Sequence, residues 1–305
     1  MSQQILSQHE LKCKTANSEG MKHQLKKLMI STCLCIPTLA FAQAEFTELD
    51  GSLLYFKYFP SPESKFKGTI IFQNGSGTSL KEWTENKTFL KCVTEQGNAL
   101  MYDRSGIGQS PPDLSISAEK PTTAQRVNSK LMKLLKRNHV QAPYILVSHS
   151  YGGLYAGHFA RQHPDLVAGM LMIDTVPSNF QYSNQILEKF ENNRIKFENI
   201  SSEEAYRLYN TANQTESNSM TADSFYQQLG FNTTKQQLAK SPRMSDKFPI
   251  IIASSTEMNN HAPIKGDWYT SQMQWLNKNP QSKIFKAQGG HFLQLDHPKL
   301  MCQQL

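Results

Sequence analysis

Ser150 sits in the stretch Y-I-L-V-S-H-S-Y-G-G, residues 144–153, where a short β-rich apolar run gives way at once to small residues. Residues 154–163 follow with helix-compatible composition and end in His163-Pro164. The run is too brief and too rich in β-branched and aromatic residues for a helix segment, so it reads as a buried strand. Ser150 is then the residue at which a strand turns abruptly into a helix. Such a turn strains the backbone and needs small neighbours two positions away, here Ser148 and Gly152. The helix that follows aims its first backbone amides at the turn, where they can stabilise negative charge. That chemistry suits a nucleophile attacking an acyl carbon. A Gly-rich strand–helix turn with an incidental serine is the plainer alternative.

Acyl transfer also needs a base for the serine proton, an acid to orient that base, and donors for the oxyanion. Among the histidines, His291 is the best base, because it follows Gly289-Gly290 after the last predicted strand. A loop there can carry the ring over the edge of a sheet. The other histidines have plainer roles: His149 lies inside the turn and points away from Ser150, His163 closes a helix, and His297 precedes a proline.

The elements that must position these residues alternate in type. Residues 46–59 read as a hairpin around Asp50-Gly51. Strands are expected at 68–72, 99–102, 144–147 and 166–173, with helices at 80–96, 121–138 and 154–163 between them. Short connections between alternating strands and helices predict a mostly parallel, doubly wound α/β sheet covered on both faces. Ligands collect at the carboxyl ends of such strands, where Ser76, Asp103, Ser150 and Asp174 all fall. Residues 177–247 change character, being rich in Asn, Gln, Ser and Thr. Their aromatics, Tyr206 and Tyr209 among them, argue for a packed helical lid, with helices expected at 183–197 and 202–210. The sheet resumes at 248–253, a helix is expected at 268–276, a strand at 283–286 and one short terminal helix beyond 293.

Four motifs in order resemble those of the α/β-hydrolase superfamily, from residue 46 to the end. N-G-S-G at 74–77 resembles its oxyanion loop, with Asn74 in place of the usual histidine. Y-D-R-S-G-I-G-Q-S at 102–110 resembles a turn of the epoxide hydrolase and esterase branch. S-H-S-Y-G-G resembles the nucleophile elbow, with Ser148 for the more usual first glycine, and G-G-H-F-L-Q-L-D-H-P resembles the histidine loop. A serine at 150 argues against epoxide hydrolases and haloalkane dehalogenases, which use aspartate there. The resemblance implies an oxyanion hole made by the backbone amides of Ser76 and Tyr151. It places the acid in most members after the strand at 248–253, where only Glu257 is offered; some lipases take it from the preceding strand, which ends here in Asp174, 24 residues after Ser150. Asp174 is preferred because the Glu257 loop lacks the expected aspartate. Asp103 is expected to tie its turn together, and Asp296 to serve as a turn or cap residue.

Of the net charge of +7, part lies in the first 42 residues, where five Lys/Arg face two Asp/Glu; the remaining 27 basic and 23 acidic residues leave +4. Without a basic run interleaved with aromatics, no nucleic-acid partner is indicated. Mean hydropathy is −0.52, compatible with a soluble globule. Lys22, Lys26 and Lys27 precede an apolar run of about 15 residues ending in Ala40-Phe41-Ala42, the pattern of a signal peptide over residues 1–42, with Met21 as a second start. An exported, periplasmic or secreted protein with no stable membrane span follows, and an uncleaved membrane anchor is the alternative. Cys92 and Cys302 would remain after cleavage, either joined or as buried free thiols. No metal-ligand spacing occurs, and the chemistry requires no cofactor.

The domains expected are thus a signal peptide at 1–42, a core at 43–176 and 248–305, and a lid at 177–247. The activity expected is hydrolysis of a small-molecule carboxylic ester or related acyl substrate through an acyl-enzyme. A lactonase, amidase, peptidase or acyltransferase could use the same residues, and a non-catalytic ligand-binding scaffold is the non-enzymatic alternative.

Overall fold

The computed structural model describes residues 43–197, 204, 222–258 and 266–305. The expected signal segment, most of the helix at 202–210, and Tyr206 and Tyr209 lie outside the described residues. The chain enters through the hairpin of β1 (Gln43–Leu49) and β2 (Ser52–Phe59). Asp50 and Gly51 at its turn both have positive φ, 53° and 75°, the twist that a two-residue hairpin loop requires. Six more strands follow: β3 (Phe66–Gln73), β4 (Gly97–Tyr102), β5 (Tyr144–His149), β6 (Val167–Ile173), β7 (Ile250–Ser255) and β8 (Lys283–Ala287). They form one eight-stranded sheet in the order β1-β2-β4-β3-β5-β6-β7-β8. The pairings β1/β2 and β2/β4 are antiparallel, and every other one is parallel.

The continuous apolar runs of the central strands follow from burial on both faces. Ile71, Leu100, Leu146, Met172 and Ile252 join a core with the helices α3 (Ala124–Arg137) and α4 (Gly152–Gln162). Their sequence neighbours Ile70, Met101, Val147, Leu171 and Ala253 turn to the other face, against α1 (Lys81–Thr84) and α2 (Lys87–Gln96). Between β6 and β7 the described residues form α5 (Asn184–Phe197), α6 (Ala222–Leu229) and α7 (Phe231–Lys240). Phe231 of α7 packs on Phe180 and Tyr182, ring centroids 5.3 and 4.5 Å away, so these aromatics serve to hold the segment on the core.

Some boundaries differ from expectation for local reasons. The helix expected at 80–96 is broken in two, because Asn86 accepts a hydrogen bond from the Phe89 amide at 3.0 Å and caps a new helix. Gly97 is already extended and opens β4. The helix expected from 268 is α8 (Trp268–Gln272) followed by a 3₁₀ turn. Pro298 splits the terminal helix into α9 (Leu293–Asp296) and α10 (Pro298–Cys302). Cys92 of α2 and Cys302 of α10 are joined in a disulfide, which resolves the two options for these thiols. Among the described residues, no helix is long and apolar enough to cross a membrane.

Candidate active site

Two strained turns stand side by side at the carboxyl ends of β5 and β6. Ser150 has φ 52° and Asp174 has φ 44°, a left-handed conformation unusual for residues other than glycine. Each turn holds the other: the Ser150 amide donates to the Ile173 carbonyl at 3.2 Å, and the Val176 amide donates to the Ser150 carbonyl at 3.0 Å. Small residues make the crossing possible. A Cβ on Gly152 would stand 2.3 Å from the Gln73 carbonyl oxygen, and one on Gly153 would meet Thr175 at 2.5 Å. Only glycine lets α4 start this close to the loop after β3.

His291 reaches these turns from the loop between β8 and α9. Its Nε2 lies 2.8 Å from Ser150 Oγ, and its Nδ1 lies 2.6 Å from Asp174 Oδ2. With Nδ1 protonated toward the carboxylate, Nε2 is left as an acceptor for the serine hydroxyl. Burial against the rings of His149, Trp268 and Phe292 pushes the His291 pKa down; the hydrogen bond it donates to Asp174 opposes that only in part, and the neighbouring His149 adds to the lowering. Near neutral pH the ring is therefore a free base. Asp174 is fully buried, and its Oδ1 accepts from the Ser255 amide at 2.8 Å and the Trp268 Nε1 at 2.6 Å. These donors fix the carboxylate so that Oδ2 faces the imidazole.

Glu257 is not brought into this chain. It is exposed, and its amide donates to Ser255 Oγ at 3.2 Å, so the β7 loop contributes its Ser255 amide to Asp174 and no carboxylate to His291. Asp103 and Asp296 take the roles expected of them. Asp103 accepts from the amides of Leu80 and Gln109 at 2.6 and 2.8 Å, and Asp296 accepts from the Gly290 amide at 3.2 Å.

The loop after β3 is held from its carbonyl side. Arg104 donates to the carbonyls of Asn74 and Gly75 at 2.8 and 2.7 Å and pairs in bidentate fashion with Asp223 of α6, at 2.9 and 2.6 Å. The Asn74 side chain is a buried tie, donating to the Tyr102 carbonyl at 2.9 Å and accepting from Trp83 Nε1 at 2.6 Å. Among the described residues, no backbone carbonyl takes the amide of Ser76 or of Tyr151. The arrangement brings a serine hydroxyl, an imidazole and a buried carboxylate into one hydrogen-bonded chain.

A family model described as alpha/beta hydrolase fold matches residues 68–278, more than half of the chain. The chain belongs to the α/β-hydrolase family. It is 25% identical over 237 residues to the uncharacterized protein YqjL of Bacillus subtilis, covering 76% of this chain and 80% of that one. Among solved structures, it is similar to the haloalkane dehalogenase DbeA of Bradyrhizobium elkani, with TM-score 0.61 and 19% identity over 87% of this chain and 96% of that one. A thioesterase domain from the curacin biosynthetic pathway is similar at TM-score 0.59 and 14% identity, covering 87% of this chain and 98% of that one. At these identities the two structures speak for the fold alone.

This family member also carries buried polar residues that sequence reasoning missed. Glu82, His149 and Asp223 are 8%, 1% and 2% exposed and lie beside the site. Glu82 and Asp223 look like ordinary helix-surface carboxylates in sequence. The orientation expected of His149, away from Ser150, gave no sign that its ring packs on the loop that carries His291, with centroids of the two rings 4.6 Å apart.

Proposed function

We propose that this α/β hydrolase cleaves carboxylic esters through an acyl-enzyme on Ser150, with His291 as general base and acid and Asp174 as the orienting carboxylate. The observation that carries the reading is the unbroken chain Ser150 Oγ–His291 Nε2, 2.8 Å, and His291 Nδ1–Asp174 Oδ2, 2.6 Å. His291 takes the hydroxyl proton as Oγ attacks the acyl carbon, returns it to the leaving alkoxide, and then activates water to release the acid. The amides of Ser76 and Tyr151 are assigned to the oxyanion. A serine nucleophile favours acyl chemistry over displacement at an alkyl carbon: attack on an alkyl halide would leave an ether that water does not cleave under these conditions, whereas an acyl-serine ester is hydrolysed.

Export belongs to the same proposal. A disulfide between Cys92 and Cys302 suits an oxidising compartment, and the charged and apolar pattern of residues 1–42 suits a signal segment. N-terminal sequencing of the protein recovered outside the cytoplasm tests it, with a new terminus near residue 43 expected.

Labelling with a fluorophosphonate tests the nucleophile whatever the natural substrate. The full chain is expected to label, and Ser150→Ala to lose all labelling. On p-nitrophenyl esters, Asp174→Asn is expected to lower kcat by about 10³–10⁴, as when an orienting aspartate is replaced, while Glu257→Gln stays within about twofold. A folded chain that neither labels nor turns over a panel of esters, lactones, amides and thioesters would favour a ligand-binding scaffold.

A further inference from the structure

His149 ends β5, one residue before Ser150, and is 1% exposed. Its Nε2 donates to the backbone carbonyl of His291 at 2.9 Å, and its ring lies 4.6 Å from that of His291 and 4.8 Å from that of Phe292. The other nitrogen, Nδ1, stands 3.2 Å from Glu82 Oε1 but off the line of a hydrogen bond, so that contact is one of charge. Glu82 Oε2 in turn accepts from the Gly75 amide at 3.3 Å. Gly75 itself is pressed on the ring: a Cβ there would stand 2.9 Å from His149 Nδ1. One buried pair thus touches the loop that carries the proposed oxyanion donor and the loop that carries the proposed base.

We infer that Glu82 and His149 are positioning residues for hydrolysis, setting the Gly75–Ser76 loop and the His291 loop at a fixed spacing on either side of Ser150; the inference rests on the serine-hydrolase reading above. A buried carboxylate is tolerated as an anion only when partnered, and here its partners are His149 and the Gly75 amide. Among the described residues, the charged or titratable groups facing His149 are Glu82 from α1, and His291 and Asp174 from the loops after β8 and β6; Trp83, Gly75 and Phe292 bring no charge. Burial pulls the His149 pKa down, but the Glu82 charge and contact outweigh it and raise it. A protonated His149 in turn lowers the pKa of His291. The same pair thus holds the loop that carries the base and bears on its proton affinity.

The test is the second-order rate of fluorophosphonate labelling by the full chain from pH 5 to 9, for wild type, Glu82→Gln and His149→Gln, with folding checked by circular dichroism. Both variants are expected to label about 10- to 100-fold more slowly, since a small misplacement of reacting groups is costly. In both, the acidic limb of the rate profile is expected to move to higher pH. The shift is larger in His149→Gln, which keeps the Glu82 charge while losing the imidazolium. Variants that fold and match wild type, or that lose rate without moving the limb, overturn the positioning role alone. An unlabelled wild type overturns the serine-hydrolase reading and this role with it. If His149→Gln does not fold, Glu82→Gln, which keeps an oxygen for the Gly75 amide, decides by the same criteria.

Discussion

Two buried charge pairs grip the loop after β3, and they are built differently. Arg104 takes the carbonyls of Asn74 and Gly75, while its other donors meet both oxygens of Asp223. Glu82 takes the Gly75 amide and faces His149 without a linear hydrogen bond. The guanidinium is charged at every accessible pH: burial would lower its pKa, but Asp223 holds it above the ordinary arginine value. His149 keeps its charge only while Glu82 offsets the cost of burial. The first pair is a permanent tie between the loop and the helix α6, and the second is one whose strength follows its proton. On the proposed serine-hydrolase reading, a site that must keep its amides aimed, yet set the affinity of a base, has use for both.

The sharpest way to break the comparison is to remove one carboxylate from each pair. Asp223→Asn leaves a buried arginine without its counter-charge, which is expected to cost about 3–5 kcal/mol. Glu82→Gln leaves a histidine that can release its proton and become a satisfied neutral donor, at an expected cost of about 1 kcal/mol. Urea unfolding midpoints at pH 7 measure both. Equal losses would show that the two pairs are alike in kind.

Sequence reading singled out Ser150 and His291, which the structure brings within hydrogen-bond distance, and the succession of strands along the chain, because those signals are local: a strand, a turn with small residues, a pair of glycines before a histidine. It preferred Asp174 to Glu257 only because the Glu257 loop lacks an aspartate, since the answer depends on which loop end reaches the imidazole. Only the packed structure shows Trp268 and Ser255 holding Asp174 in place. Asp223 was out of reach for the same reason, its partner Arg104 being 119 residues away. The break at Asn86 was missed because apolar residues at helical spacing continue through it, and a capping side chain interrupts a helix without disturbing that pattern.

A buried histidine with no carboxylate partner among the described residues is the natural control for His149. His158 is 6% exposed, and Asn128 Nδ2 approaches its Nδ1 at 3.0 Å. Burial, aided by His163 and Arg161, pushes its pKa down to about 4. A histidine with a depressed folded pKa gives stability that is fully present above pH 6.5, its unfolded value, and lost as pH falls toward 4. Between pH 7 and 5.5 that loss is expected to be about 1 kcal/mol, and His158→Gln should flatten the dependence. An unchanged slope in the variant would remove His158 from the account.

The smallest expected effect has the opposite sign. Because the folded pKa of His149 is raised by Glu82, the contribution of this pair is fully present below the unfolded value of 6.5 and fades as pH rises through the folded value. The stability difference between wild type and Glu82→Gln should therefore narrow from pH 6 to pH 9, by less than the roughly 1 kcal/mol the pair contributes. The difference for Asp223→Asn should stay constant over that range, since the arginine stays charged throughout it. Urea midpoints at pH 6, 7.5 and 9 for the three proteins separate the cases. If the Glu82→Gln difference were as flat as that of Asp223→Asn, His149 would be a neutral hydrogen-bond donor throughout. The acidic limb of the labelling profile would then stay in place in Glu82→Gln, the outcome that overturns the positioning role of the pair.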